Sequence, residues 1–197
     1  MGETFDAAYY EKYYKSAKTR VHSAEEIGRL CTGVVGMLEW WRQPLATVLD
    51  VGAGTGLWRD WFAKKRPGVA YRSTEFSKHA CEEFGHEQRD ITKWRDKKQF
   101  DLVVCQGVLP YLDDDGCAKA LENLAAMTGG FLYLEAITKG DIADVIDEVK
   151  TDVKVHGRTG KWYRERLGKH YREVGCGLWA KKDAGVLFYE LEAPRAR

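Results

Sequence analysis

Residues 50–56 read Asp50-Val51-Gly52-Ala53-Gly54-Thr55-Gly56, three glycines at alternate positions behind one acid. Glycine lets a backbone turn tightly and approach a ligand with no Cβ in the way. The run Thr47 to Val51 reads as a short buried strand, and Leu57, Trp58, Trp61 and Phe62 mark a helix that stops at Pro67-Gly68. A strand that ends in such a turn and opens a helix offers unpaired N–H groups and a positive dipole end, which suit a nucleotide-like ligand. A dinucleotide loop, G-x-G-x-x-G/A, needs Gly or Ala at position 57, where this chain has Leu57.

The surrounding elements have to present that loop. Phe5, Tyr9 and Tyr13 recur at helical spacing over residues 5–14. Ser23 and Glu26 form a capping-box pattern before the periodic run Ile27, Leu30, Cys31, Val34, Val35, Leu38 and Trp41, with Pro44 beyond it. Strands are expected over residues 69–75, weakly around 86–90, and over 100–105 and 131–136. Ser77 and Asp113 are N-caps of the intervening helices, and Gly129-Gly130 is read as the end of the second. A further helix is expected from Ile142, Val145, Ile146 and Val149, and another around residues 159–171. Two strand-like runs, 173–182 and 185–192, are read as a hairpin joined through Asp183-Ala184-Gly185. Alternating strands and helices make this an α/β domain with a mainly parallel sheet and an antiparallel end.

The loop Asp50 to Gly56, with its D-x-G-x-G-x-G spacing, resembles motif I of class I S-adenosylmethionine (SAM)-dependent methyltransferases. The resemblance covers roughly residues 45–192. It implies a three-layer Rossmann-like fold in a single domain over 1–197, with an N-terminal helical cap to about residue 44 and a SAM-binding core beyond. It also implies cofactor roles for Asp50, Gly52, Gly54 and Gly56. Glu75, ending the second strand, is placed to accept from the ribose hydroxyls. The resemblance further puts Asp90 at the adenine amino group, Ile91 against the ring, and Gln106 at the methionine end of SAM. The expected reaction is in-line transfer of a methyl group to an acceptor. The competing readings are an NAD(P)-dependent oxidoreductase, which Leu57 and the final hairpin oppose, and a SAM-binding module without turnover.

No nucleic-acid amino-methyltransferase motif follows the fourth strand, where the chain reads Gln106-Gly107-Val108-Leu109-Pro110-Tyr111. The formal net charge is +1, and no basic aromatic groove is visible, so a small-molecule acceptor is expected rather than nucleic acid. Tyr111, Glu135 and His156 are the acceptor-site candidates, and Trp162 and Tyr163 either wall a pocket or pack a helix. Asp113, Asp114 and Asp115 read as a helix start rather than a metal site. Tyr9, Tyr10, Tyr13 and Tyr14, with Arg20 behind them, form a candidate lid over the cofactor. The five cysteines are single and unpaired in spacing, the opening residues carry no signal-peptide pattern, and no apolar run approaches a bilayer span. A cytoplasmic protein without a membrane partner is expected.

Overall fold

The computed structural model describes residues 5–193; the opening four residues and most of the expected loose tail lie outside them. Strands β1 (Thr47–Val51), β2 (Ala70–Glu75), β3 (Glu87–Gln88), β4 (Phe100–Gln106), β5 (Thr128–Glu135), β6 (Tyr171–Gly175) and β7 (Leu178–Lys181) form one sheet. Its order is β3-β2-β1-β4-β5-β7-β6. The first five strands pair in parallel, and β7 runs antiparallel to both β5 and β6. The expected α/β class with an antiparallel end pair is the class observed.

Residues along each strand alternate between two cores. Val48, Leu102, Val104 and Phe131 pack on Ile27, Val35 and Leu38 of α2 (Ala24–Trp40) and on Trp58 and Phe62 of α3 (Leu57–Lys65). Leu49, Val51, Val103 and Leu132 pack on Cys117, Leu121 and Leu124 of α5 (Asp114–Met127) and on Tyr163 and Leu167 of α7 (Gly160–Leu167). Covering both faces is what a parallel sheet requires. The Ser23–Glu26 box caps α2 with both reciprocal hydrogen bonds. A short helix, α1 (Ala7–Tyr10), continues as a π-turn through Lys15, and α4 (Lys78–Phe84) starts at Ser77. Among the described residues, no helix is long and apolar enough to cross a membrane.

Three expectations are corrected. The terminal hairpin turns at Cys176-Gly177, not at residues 183–185, and residues 185–192 form no strand. Gly175, Cys176 and Gly177 all have positive φ, which supplies the tight turn. β7 already has a partner on each edge, so the chain that follows it cannot pair back onto β7 as a hairpin. Phe188 packs edge-on against Trp41 and Val186 against the same core instead, leaving Leu187, Tyr189 and Leu191 exposed. The helix expected over 142–149 is the six-residue α6 (Lys139–Asp144), capped by Thr138 and Asp141. Val145 and Val149 face solvent, so no tertiary packing extends it. Finally, α5 passes directly into β5, and Gly130 lies within the strand because a Cβ there would stand 2.6 Å from the Asp101 carbonyl oxygen.

The turn assignment is testable. A Cβ on Gly177 would sit 2.9 Å from the Tyr133 ring and 3.0 Å from the Leu134 carbonyl oxygen, whereas one on Gly185 meets nothing within 4 Å. Both carry positive φ, so Gly185→Ala is expected to cost about 1 kcal/mol of backbone strain. Gly177→Ala adds the steric conflict and should lower the urea midpoint clearly further; equal midpoints would remove the turn from Gly177.

Candidate active site

The strand order reverses at β1, which has β2 on one side and β4 on the other. A crevice beyond the carboxyl ends of the strands opens at such a switch point. Here it is a cavity of about 120 Å³, lined from β1 by Asp50 and residues 52–55, from β4 by Gln106 and Gly107, and from β5 by Glu135.

The glycine loop is held from behind. The Gly52 and Ala53 N–H groups both donate to the Thr74 carbonyl, at 2.9 and 3.1 Å. Gly52 has φ +75°, and a Cβ on it would fall 2.1 Å from a Val108 methyl group, so only glycine fits. Gly56 is the N-cap of α3 and does not line the cavity. Glu75 is buried behind the loop. Its carboxylate accepts from the N–H of Gly54 at 3.0 Å, of Phe76 at 2.7 Å and of Ser77 at 3.1 Å. Buried His86 bonds the Gly54 carbonyl through Nε2 and the Ser73 hydroxyl through Nδ1.

Asp50 lies on the α2–α3 face of β1 and is 2% exposed. Burial pushes its carboxyl up to about 7; the Tyr71 hydroxyl, donating at 2.7 Å, opposes that rise, and the Glu75 charge adds to it. Across the cavity, the Trp58 indole donates to Gln106 Oε1 at 2.8 Å, and Gln106 Nε2 donates to Glu135 Oε2 at 3.1 Å. Indole is a donor only, so the Gln106 amide has a single orientation. The Tyr133 hydroxyl also donates to Glu135, and His22 Nε2 stands 3.7 Å from its other oxygen. Glu135 raises the His22 pKa above its ordinary value, against the effect of burial. Burial alone would raise Glu135, but His22, Gln106 and Tyr133 together hold it below the ordinary carboxylate value. Glu135 is thus a carboxylate wall of the cavity, bonded by Gln106 and Tyr133 and faced by His22.

The amino-terminal aromatics roof the site. The Tyr14 ring comes within 3.0 Å of where a Gly54 Cβ would stand, so it covers the loop. The Tyr9 and Tyr111 hydroxyls meet at 2.8 Å, and Phe5 sets its ring edge-on to both aromatic rings. The Ser77 hydroxyl donates to the Phe5 carbonyl, and Lys15 pairs with Glu83, which ties the roof to α4. Tyr10 is buried against His79 and Phe84, while Tyr13 packs on Tyr9; neither lines the cavity, nor does Arg20.

A loop between α6 and α7 closes the remaining side with Thr151, Asp152 and Val155. Buried Arg158 anchors it, donating to Asp114 at 2.8 Å and to the carbonyls of Leu109 and Leu112 on the turn that carries Tyr111. His156 is exposed and does not line the cavity; its backbone is engaged, the N–H with the Pro110 carbonyl and its own carbonyl with Arg158. Tyr163 packs in the core, and Trp162 lies under the guanidinium groups of Arg158 and Arg166. Asp113 caps α5. Among the described residues, no group of three His, Cys, Asp or Glu is placed to hold a metal. Asp90, bonded to Thr92 and Lys93, and Ile91, in the α5-side core, stand beyond the end of β3 and outside the cavity.

Sequence reasoning missed His22, Asp152 and His86. His22 had one available signal: it precedes the capped Ser23, so its position relative to α2 is set. Asp152 and His86 sit in stretches without periodicity and are brought in by tertiary packing.

Asp50 makes the pH dependence of stability informative. In the fold its carboxyl titrates near 7 rather than at the ordinary 3.8. Between those values the folded chain binds more protons than the unfolded one, so this group's stabilising effect is present at low pH and lost as pH rises through 7. Asp50→Asn is therefore expected to match wild type near pH 4 and exceed it at pH 8, by an amount on the order of a few kcal/mol. Urea titrations across that range check this; a variant less stable than wild type at pH 8 contradicts it.

A family model described as a methyltransferase domain matches residues 22–177 of the chain. No curated protein matches it by sequence. Among solved structures it is similar to magnesium protoporphyrin IX methyltransferase from Synechocystis PCC 6803 with bound SAH, at TM-score 0.57 and 15% identity over 85% of this chain and 86% of that one. It is also similar to a SAM-bound amino pentose methyltransferase from Micromonospora echinaspora, at TM-score 0.52 and 24% identity over 64% and 56%. A plantazolicin methyltransferase in complex with SAH and a substrate analogue gives TM-score 0.59 and 14% identity over 76% and 64%. The chain spans less than two thirds of the last two structures. With the glycine loop at the switch point and the antiparallel strand pair in place, this chain belongs to the class I SAM-dependent methyltransferase family.

Proposed function

We propose that this methyltransferase acts on a small-molecule acceptor, with the cofactor held along the carboxyl ends of β1 to β4. One observation carries the reading: residues 52–55 share a single roofed cavity with Tyr9, Tyr111 and Asp152, which leaves room for a small group rather than a polymer. SAM, when bound, supplies a methyl carbon activated by its positive sulfur. The residues present fit it. Gly52 and Gly54 offer a Cβ-free surface beside the α3 N-terminus, and Gln106 is locked at the end of β4. Glu75 uses three acceptor sites on backbone donors, and a carboxylate has about four, so one remains for a ribose hydroxyl. Asp90 and Ile91 follow β3, the neighbour of β2, and lie outside this cavity, so an adenine role for them rests on the family resemblance alone.

The roof of Phe5, Tyr9 and Tyr14 would exclude water and align the reactants, and positioning supplies much of the rate in a displacement of this kind. The named acceptors of the similar structures, a porphyrin, an amino pentose and plantazolicin, accord with a small acceptor here. The five cysteines are all free, Cys176 on the surface, which supports a reducing, cytoplasmic location.

Calorimetric titration tests the cofactor assignment. SAM and S-adenosylhomocysteine (SAH) should bind and NAD should not; Glu75→Gln should weaken both adenosyl ligands at least tenfold, and Tyr14→Phe several-fold. Unchanged affinities would remove those two residues from the cofactor site. Incubation with methyl-tritiated SAM and a cell extract tests the acceptor: label should enter the dialysable fraction, and label confined to protein or nucleic acid overturns the small-molecule reading.

A further inference from the structure

Three carboxylates line the cavity, and one of them, Glu135, already faces a basic side chain. Glu135 faces His22, and Asp50 takes the Tyr71 hydroxyl. Asp152 is 8% exposed and accepts the Lys154 N–H at 3.0 Å. Among the described residues, no cationic side chain forms an ion pair with it. Burying a carboxylate without a countercharge is unfavourable unless a ligand supplies one. Around it stand the Tyr9 and Tyr111 hydroxyls, the latter hydrogen-bonded to Asp152; both are raised in pKa chiefly by burial and additionally by the Asp152 charge, so they remain neutral phenols. Neutral aromatic walls with a carboxylate between them favour a cation.

Arg158 shows that this placement is built. It is 4% exposed, and it fastens the Asp152 loop to the Leu109–Leu112 turn that carries Tyr111. Asp152 and Tyr111 thus hold a fixed relation in the cavity that the Gly52–Gly54 surface also lines.

We propose that Asp152 is the anchor for the methyl acceptor, and that the acceptor is a small amine bound as its ammonium. This rests on the small-molecule reading above and specifies its chemistry. The amine nitrogen gives one proton to Asp152, which passes it to solvent, and the freed electron pair forms the new nitrogen–carbon bond. The carbon–sulfur bond breaks with its pair returning to sulfur, which leaves as a neutral thioether. The product is an N-methylammonium with the charge of the substrate.

The alternative source of positive charge is the sulfonium of SAM itself, and SAH, which lacks it, separates the two. The experiment measures SAM and SAH affinities of wild type, Asp152→Asn and Asp152→Glu. It then titrates benzylamine, benzyl alcohol and benzoate into each SAH complex, and assays tritium transfer from methyl-labelled SAM to a panel of primary amines, phenols and carboxylates. Asp152→Asn should keep SAM and SAH affinities within twofold of wild type, which also reports its folding. It should lose at least tenfold in benzylamine affinity and in kcat/KM for the amines, with partial recovery in Asp152→Glu. Weakening of SAM but not SAH would assign Asp152 to the cofactor and overturn the proposal. Transfer only to phenols or carboxylates, or none to the amine panel while SAM binds, overturns it equally. Failure of wild type to bind SAM would instead strike the cofactor placement.

Discussion

The Glu75 carboxylate is the point on which the site is built. It sits at the end of β2, out of solvent, and takes the backbone N–H groups of Gly54, Phe76 and Ser77. Bonds from a charged acceptor to backbone donors are among the stronger ones a fold can make. They couple the loop after β1 to the start of α4. Ser77, placed by that anchor, caps α4 with its oxygen and donates its hydroxyl to Phe5 at the roof. One buried acid therefore connects the glycine loop, the neighbouring helix and the amino-terminal cover.

Opposite that anchor lies a second, differently built wall. Trp58, Gln106, Tyr133, Glu135 and His22 come from α3, β4, β5 and the segment before α2, and hydrogen bonds run from Trp58 to Gln106 and from Gln106 and Tyr133 to Glu135. Such linked hydrogen bonds fix the orientation of the side chains they join. Asp152 departs from the pattern. Its geometry is fixed by the Arg158 anchor, yet its charge has no cation. Stability and binding diverge at this residue, as they do at Asp50, whose burial opposes folding at neutral pH.

Much of the fold was legible from local pattern. The capping residues Ser23, Ser77 and Asp113 were identified from type and spacing, and each makes the expected bond. The hairpin was placed wrongly because residues 185–192 alternate as a strand would. Alternation reports which residues face a core, and Val186 and Phe188 do, but it does not report whether a strand edge is free. In the candidate site, Asp50, Gly52, Gly54, Gln106, Tyr111 and Glu135 line the cavity, whereas Gly56, Glu75, Asp90, Ile91 and His156 do not.

The sequence by itself determined the Asp50–Gly56 turn and the succession of strands and helices along the chain, and hence a mainly parallel sheet. Those features depend on backbone conformation and periodicity within a few residues, which residue type encodes directly. Only the tertiary structure decided that His22 faces Glu135, that Tyr14 covers Gly54 and that Asp152 stands by Tyr9 and Tyr111. These residues lie tens of residues apart or more in the chain, in stretches with no regular pattern. Their meeting follows from how helices and loops pack over the finished sheet, which no local spacing records.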